Sequence, residues 1–234
     1  MRMNAMRDRI VLARHMRVWP SASAWTSMAA AARDATARAA LELWSARGWP
    51  LVVRRPDESE SFLSDKGIAV GLPLPPALGK RRLKSRVPSE GVAAHAPPLA
   101  LDDVVAAMEP AWQRALAPLA RDATSKGVKL GVFGSAAWQV QTGLAYLHER
   151  SDIDLLVEPA GMGALDTAIA LFERFERRTA IRLDGEIVFP GGDAIAWREW
   201  NCAKSDGRVL VKSLTGAALV PKTALAGRLE RVPA

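Results

Sequence analysis

The sequence predicts an α/β (α+β) protein in two parts: a smaller basic α+β domain over residues 1–95 and a larger α/β domain over 101–234. Three observations carry this. From residue 101 onward, helical and strand patterns alternate as α, β, α, β, α, β, β. Residues 87–100, VPSEGVAAHAPPLA, are rich in Pro, Ala and Gly and read as a linker. Charge is unevenly placed: residues 1–100 hold 16 Lys/Arg against 8 Asp/Glu, and residues 101–234 hold 16 against 17. The whole net charge of +7 therefore comes from the front half, which suits an anionic partner or a solvated basic surface.

The bulk numbers exclude several classes. With 234 residues, 49% hydrophobic and 24% charged, the chain can bury a core. No apolar run approaches the ~18 residues of a membrane span, so no membrane partner is expected. The basic start, MRMNAMRDRIVLARHMRVWP, lacks the apolar stretch and cleavage site of a secretory signal. Asp8 and the run Ile10-Val11-Leu12 argue against a transit peptide, and the expected compartment is the cytoplasm. A single cysteine, Cys202, rules out an internal disulfide and a cysteine zinc site. It is expected to be a buried small hydrophobe. His15, His95 and His148 do not group in sequence, so a histidine metal site has no support.

In the front half, residues 22–48 predict one alanine-rich helix with Ser23 as N-cap and Gly48 as the stop, followed by Pro50. PLVVRRP reads as a short strand, and DESES as a loop. GIAVGLPLPPALGKRRLKSRV begins as a strand, turns at its prolines and ends as a basic segment.

In the second half, residues 101–125 repeat Leu101, Val104-Val105, Met108, Trp112, Leu116 and Leu119 at helical spacing. GVKLGVFG is a strand, Ser135 to Leu147 a helix, and SDIDLLVEP a strand. GALDTAIALFERFERR is an amphipathic helix presenting Leu165, Ile169, Phe172 and Phe175, with basic residues in its last turn. IRLDGEIVFPGG and RVLVKS are two more strands. Neither a Rossmann nor a P-loop signature occurs.

Chemistry gathers between residues 134 and 186. Side chains alternate along a strand, so Asp152 and Asp154 face one way, with Ile153 and Leu155 on the other. Two close, half-buried carboxylates repel each other and are costly to desolvate. A hard divalent cation such as Mg2+ answers both problems. Upstream, Gly134-Ser135 opens a helix: glycine lets a phosphate approach, and the helix start offers free N–H groups. An anion cradle beside a metal pair suits phosphoryl or nucleotidyl transfer. Sites of this kind often use a third carboxylate. Asp184 and Glu186 share one face of IRLDGEIVF; Asp184 ranks first, and the pattern does not decide between them.

A Gly-Ser turn opening a helix, followed by a Ser-Asp-x-Asp-Leu strand, resembles the polymerase-β-like nucleotidyltransferase superfamily. The 16 residues between Ser135 and Asp152 are more than that superfamily usually has. The fuller string, GSAAWQVQTGLAYLHERSDIDLL, resembles one branch, the malonate decarboxylase holo-acyl-carrier-protein synthases, or phosphoribosyl-dephospho-CoA transferases. The likeness continues in RLDGEIVFPGGDAIAWREW, RVLVKS, PLVVRRPD and GIAVGLPLPPALGKRRL, from about His15 to Leu219.

The resemblance implies a nucleotidyltransferase-like mixed sheet with flanking helices in the second half. It implies transfer of a prosthetic group from 2′-(5″-triphosphoribosyl)-3′-dephospho-CoA to a serine of an apo acyl carrier protein subunit of malonate decarboxylase, with pyrophosphate leaving. Asp152 and Asp154 would hold one or two Mg2+ ions, Gly134 and Ser135 would bind the pyrophosphate, and Asp184 or Glu186 would complete the site. Lys212 would flank it. The cations Arg54, Arg55, Lys80, Arg81 and Arg82 would grip donor or carrier. Trp138 and Tyr146 would either pack in the core or stack on the donor. Two alternatives stand beside this reading. One is another nucleotidyltransferase, of the citrate lyase type or an adenylyltransferase. The other is a non-catalytic basic nucleic-acid-binding protein. No nucleic-acid motif supports the last, so no nucleic acid is expected as partner.

Overall fold

A computed structural model describes residues 12–57, 60 and 67–230. It is a mixed α/β structure built on two sheets. The first sheet has five strands, β1 (Arg17–Pro20), β2 (Leu51–Val53), β3 (Ile68–Pro73), β4 (Arg82–Val87) and β5 (Val92–Ala96). They lie in the order β4-β3-β2-β1-β5, and every pairing is antiparallel. Two helices, α1 (Ala22–Ala30) and α2 (Ala35–Arg47), cover it.

The single helix expected over 22–48 is thus two. Asp34 breaks it, because its side chain accepts from the N–H of Ala37 and caps a new start. The first cap is Ser21, accepting from Ala24, and not Ser23. Gly48 ends α2 in the left-handed conformation, as its position predicts. Residues 87–100 are no bare linker. They contain β5 at the sheet edge, paired with β1. An edge strand tolerates the Pro and Ala that made this stretch read as a connection.

The second sheet has seven strands: β6 (Leu99–Ala100), β7 (Leu130–Val132), β8 (Ile153–Val157), β9 (Leu183–Val188), β10 (Ala194–Ala196), β11 (Arg208–Lys212) and β12 (Ala217–Pro221). They run β12-β11-β10-β9-β8-β7-β6. β8 and β9 pair in parallel and the other described pairs are antiparallel, which makes the sheet mixed. Its helices are α3 (Leu101–Ala107), α4 (Pro110–Ser125), α5 (Gly134–Thr142), α6 (Met162–Arg178), α7 (Trp197–Cys202) and α8 (Lys222–Leu229). Pro110 starts α4 and separates it from α3, since proline suits a first helical turn and not an interior.

One face of the second sheet is packed by helices. Ile153, Leu155, Leu183 and Ile187 are fully buried there with Leu165 and Phe172 of α6. Gly185 lies in the middle of β9, and a Cβ at that position would come within 2.8 Å of the Trp197 ring of α7. The glycine therefore allows a close helix–sheet approach. Cys202 corrects an expectation: it is exposed, at the solvent end of α7, while Trp197 and Trp200 take the buried positions. Among the described residues, no helix is long and apolar enough to cross a membrane.

The two halves share α5. Ala136 and Ala137 belong to the core of the second sheet, whereas Trp138, together with Tyr146 just beyond the helix, belongs to the core of the first. There Trp138 packs against both Trp44 and Tyr146, and the Tyr146 hydroxyl donates to the carbonyl of Pro73 at 2.9 Å.

Candidate active site

The face of the second sheet opposite α6 and α7 is acidic. The parallel register sets Asp154 of β8 beside Asp184 of β9, and Leu156 beside Glu186. Asp152 sits just before β8, whose first residue, Ile153, donates to the carbonyl of Arg182 at 3.0 Å. Asp152, Asp184 and Glu186 all act electrostatically on Asp154. The four acids named from sequence are therefore gathered in one place. Asp152 and Asp184 are exposed, Asp154 is half-buried and Glu186 is buried.

Gly134 and Ser135 meet this face. β7 ends at Val132, and Phe133 donates its N–H to the Asp154 carbonyl at 3.1 Å. The chain then turns through Gly134, at φ +63, into α5. A Cβ at Gly134 would come 2.5 Å from the Asp154 carboxyl carbon. Ser135 donates its backbone N–H to the same carboxylate. The start of α5 therefore aims at Asp154, as a helix start aims at an anion. It ends at Gly143, not at Leu147. Gln139 then holds the following loop by accepting from the N–H groups of Tyr146 and Leu147 at 3.0 and 2.9 Å.

The electrostatics split the carboxyl groups. Burial pushes the Asp154 carboxyl up to about 7, and the neighbouring charges of Asp152 and Asp184 add to this; the Ser135 N–H only partly opposes them. Glu186 goes the other way. Burial alone would raise it, but His15 and Arg14 bring it down to about 2. His15 Nε2 lies 3.0 Å from Glu186 Oε2, and Arg14 Nη2 donates to Oε1 at 2.9 Å. Lys212 Nζ stands 3.9 Å from Oε1. Lys212 is thus at the site, through an acid and beside it.

Arg14 and His15 come from the front half, in the turn before β1. Sequence reasoning missed both. From sequence His15 stands out only as a possible metal ligand, and nothing local marks a residue whose partner lies 171 positions away. The His15 ring also stacks on Phe133, with centroids 3.9 Å apart.

The remaining cations are not gathered here. Arg54 is turned to Glu60, with two side-chain hydrogen bonds of 2.7 Å, and to the carbonyl of Val70. Arg81 pairs with Asp34 on the surface. Arg55, Lys80 and Arg82 are exposed. Trp138 and Tyr146 are buried core residues, which leaves them no face for a donor.

Asp152, Asp154 and Asp184 carry oxygen donors of the kind a hard divalent cation takes, and Asp154 is short of positive charge, whereas both Glu186 oxygens are bound to Arg14 and His15. Among the described residues, no group of three or more His, Cys, Asp or Glu side chains is placed to hold a metal ion.

Comparison with known proteins adds to this geometry. The family model described as phosphoribosyl-dephospho-CoA transferase MdcG C-terminal domain matches residues 100–223, and that of the N-terminal domain matches residues 13–98. A protein of Xanthomonas campestris pv. campestris (strain 8004) named phosphoribosyl-dephospho-CoA transferase is 39% identical over 212 residues, covering 91% of this chain and 95% of its own. Relatives of the same name are 37% identical over 213 residues in Xanthomonas axonopodis pv. citri (strain 306), with 91% and 95% covered, and 35% identical over 209 residues in Bradyrhizobium diazoefficiens, with 89% and 90% covered. No solved structure matches the chain.

Proposed function

This chain belongs to the phosphoribosyl-dephospho-CoA transferase family, and on that premise we propose that it loads the acyl carrier protein subunit of malonate decarboxylase with its prosthetic group. The donor is 2′-(5″-triphosphoribosyl)-3′-dephospho-CoA. A serine oxygen of the apo carrier attacks the α-phosphorus. The bond to the β-phosphate bridging oxygen breaks, pyrophosphate leaves, and a phosphodiester remains. The observation that carries this reading is the convergence of Asp152, Asp154 and Asp184 on the Gly134-Ser135 helix start.

Asp152 and Asp154 are the proposed holders of Mg2+. When bound, the ion neutralises phosphate charge and stabilises the attacking and leaving oxygens. Asp184 is the proposed third carboxylate: it is exposed, in register with Asp154, and accepts the serine proton or completes the ligand shell. Glu186 is less suited, being bound to Arg14 and His15. The α5 start and Ser135 receive the pyrophosphate. Arg55, Lys80, Arg81 and Arg82 form the proposed gripping surface of the front half for donor or carrier. Arg54 supports that surface through Glu60. The proposed place of the reaction is the cytoplasm.

The test is a mass spectrum of the carrier after incubation with enzyme, Mg2+ and donor. The expected result is a gain equal to one phosphoribosyl-dephospho-CoA group on one serine, abolished by EDTA. An unmodified carrier, from folded enzyme and validated donor, overturns the assignment. A gain of adenylate from ATP in its place would make the protein an adenylyltransferase.

A further inference from the structure

The turn Arg14-His15 is the one described place where the front half reaches the acidic face. Its backbone is held from both sides. His15 donates its N–H to the Val53 carbonyl at 3.0 Å, and Val53 returns a bond to the Met16 carbonyl at 2.8 Å. His15 itself sits at φ +67, a left-handed conformation uncommon outside glycine. A residue kept there by its surroundings is a pointer to a role for its side chain.

That side chain makes two contacts, each with a part of the site. Nε2 meets Glu186 Oε2 at 3.0 Å, and Glu186 is two residues from Asp184 on the same face of β9. The ring stacks on Phe133, which immediately precedes Gly134 and is bonded to Asp154 through its backbone. One imidazole therefore bridges the strand carrying the third carboxylate and the turn that opens the anion cradle.

We propose that His15 is a positioning residue of the catalytic centre, supplied by the front half, which braces β9 through Glu186 and the Gly134 turn through Phe133. The acidic face is then complete only when the two halves are packed together. This rests on the transferase reading above. His15 is not needed merely to hold the halves together. Tyr146 on Pro73, Trp138 against Trp44, and Arg17 reaching Gln141 already do so.

The experiment uses the full chain and three variants: His15→Asn, Glu186→Gln and the double variant. Asparagine accepts the left-handed backbone, so the turn is retained while the imidazole is lost. His15→Asn is expected to lower kcat for transfer at least tenfold, with KM for the carrier within twofold and the melting midpoint within a few degrees. The double variant is expected to be slower than Glu186→Gln by a clearly smaller factor than separates His15→Asn from the wild type, since the brace through Glu186 is already lost and only the one through Phe133 remains. Amide hydrogen exchange over residues 130–136 should quicken at least tenfold in His15→Asn, with α6 unchanged.

Exchange left unchanged, or quickened equally in α6, overturns the proposal. So does a wild-type kcat in His15→Asn, or additive losses in the double variant. If the wild type modifies no carrier, the transferase assignment fails, and the exchange comparison still decides the role of His15.

Discussion

The carboxylate of Asp154 occupies the space that a side chain at Gly134 would need. The Asp154 carboxyl carbon lies 2.5 Å from where a Cβ at 134 would stand, and the glycine also holds φ at +63. Gly134→Ala must therefore displace the acid and strain the turn together. Transfer should fall at least a hundredfold, because an ångström-scale shift of a reacting group is that costly. Backbone strain of ~1 kcal/mol should lower the melting midpoint by only a few degrees. Steady-state kinetics and a melting curve on the same sample check both.

Asp154 makes stability fall with rising pH. Its folded pKa is about 7, against about 4 in an unfolded chain. Between those values the unfolded state loses its proton and the folded state keeps it, so folding weakens as pH rises through the window. Asp154→Asn removes the effect. At pH 8 in EDTA the variant should melt on the order of 10 °C above the wild type, and near pH 4 the two should coincide. Mg2+ should raise the wild-type midpoint at pH 8 and leave that of the variant unmoved. Calorimetry across pH, with and without the ion, reads all of this.

Glu186 has the opposite sign. A carboxylate brought down to about 2 contributes stability above its unfolded pKa and loses it as pH falls from about 4.5 toward 2. Glu186→Gln should cost on the order of 3 kcal/mol at pH 7, because it leaves Arg14 without its buried partner. The difference from wild type should shrink toward pH 2. Asp184→Asn, at an exposed position, should change stability little and lower transfer at least a hundredfold. Urea titrations at several pH values separate the two acids.

Reversing the charge of Lys80, Arg81 and Arg82 to glutamate should raise KM for donor or carrier five- to tenfold and leave kcat within twofold. The exposed Arg81–Asp34 pair is lost as well, but solvent screens it, so the fold should hold. A salt series on the wild type should weaken binding in the same direction.

Much of the acidic face was legible in the sequence because it rests on local rules. Strand alternation put Asp152 with Asp154 and Asp184 with Glu186, and the glycine at a strand end marked the start of α5. The assignment of Glu186 was not legible. Its state is set by Arg14 and His15, which meet it only through the packing of the two halves. Gly185 could pass for a turn residue, since only the Trp197 ring behind it explains a glycine in mid-strand. Likewise the cap of Asp34, a single side-chain bond, outweighs a run of alanines that otherwise favours one unbroken helix.

Helix α5 gives Ala136 and Ala137 to one core and Trp138 to the other. A segment beginning at residue 101 and expressed alone would carry Trp138 and Tyr146 as bare aromatic surface, and a segment ending near residue 95 would lack two walls of its interior. The halves are thus poor candidates for recombination with foreign modules. Cooperativity follows from the same shared helix: heat should melt both sheets in one transition, and gene fusions at the junction should fail.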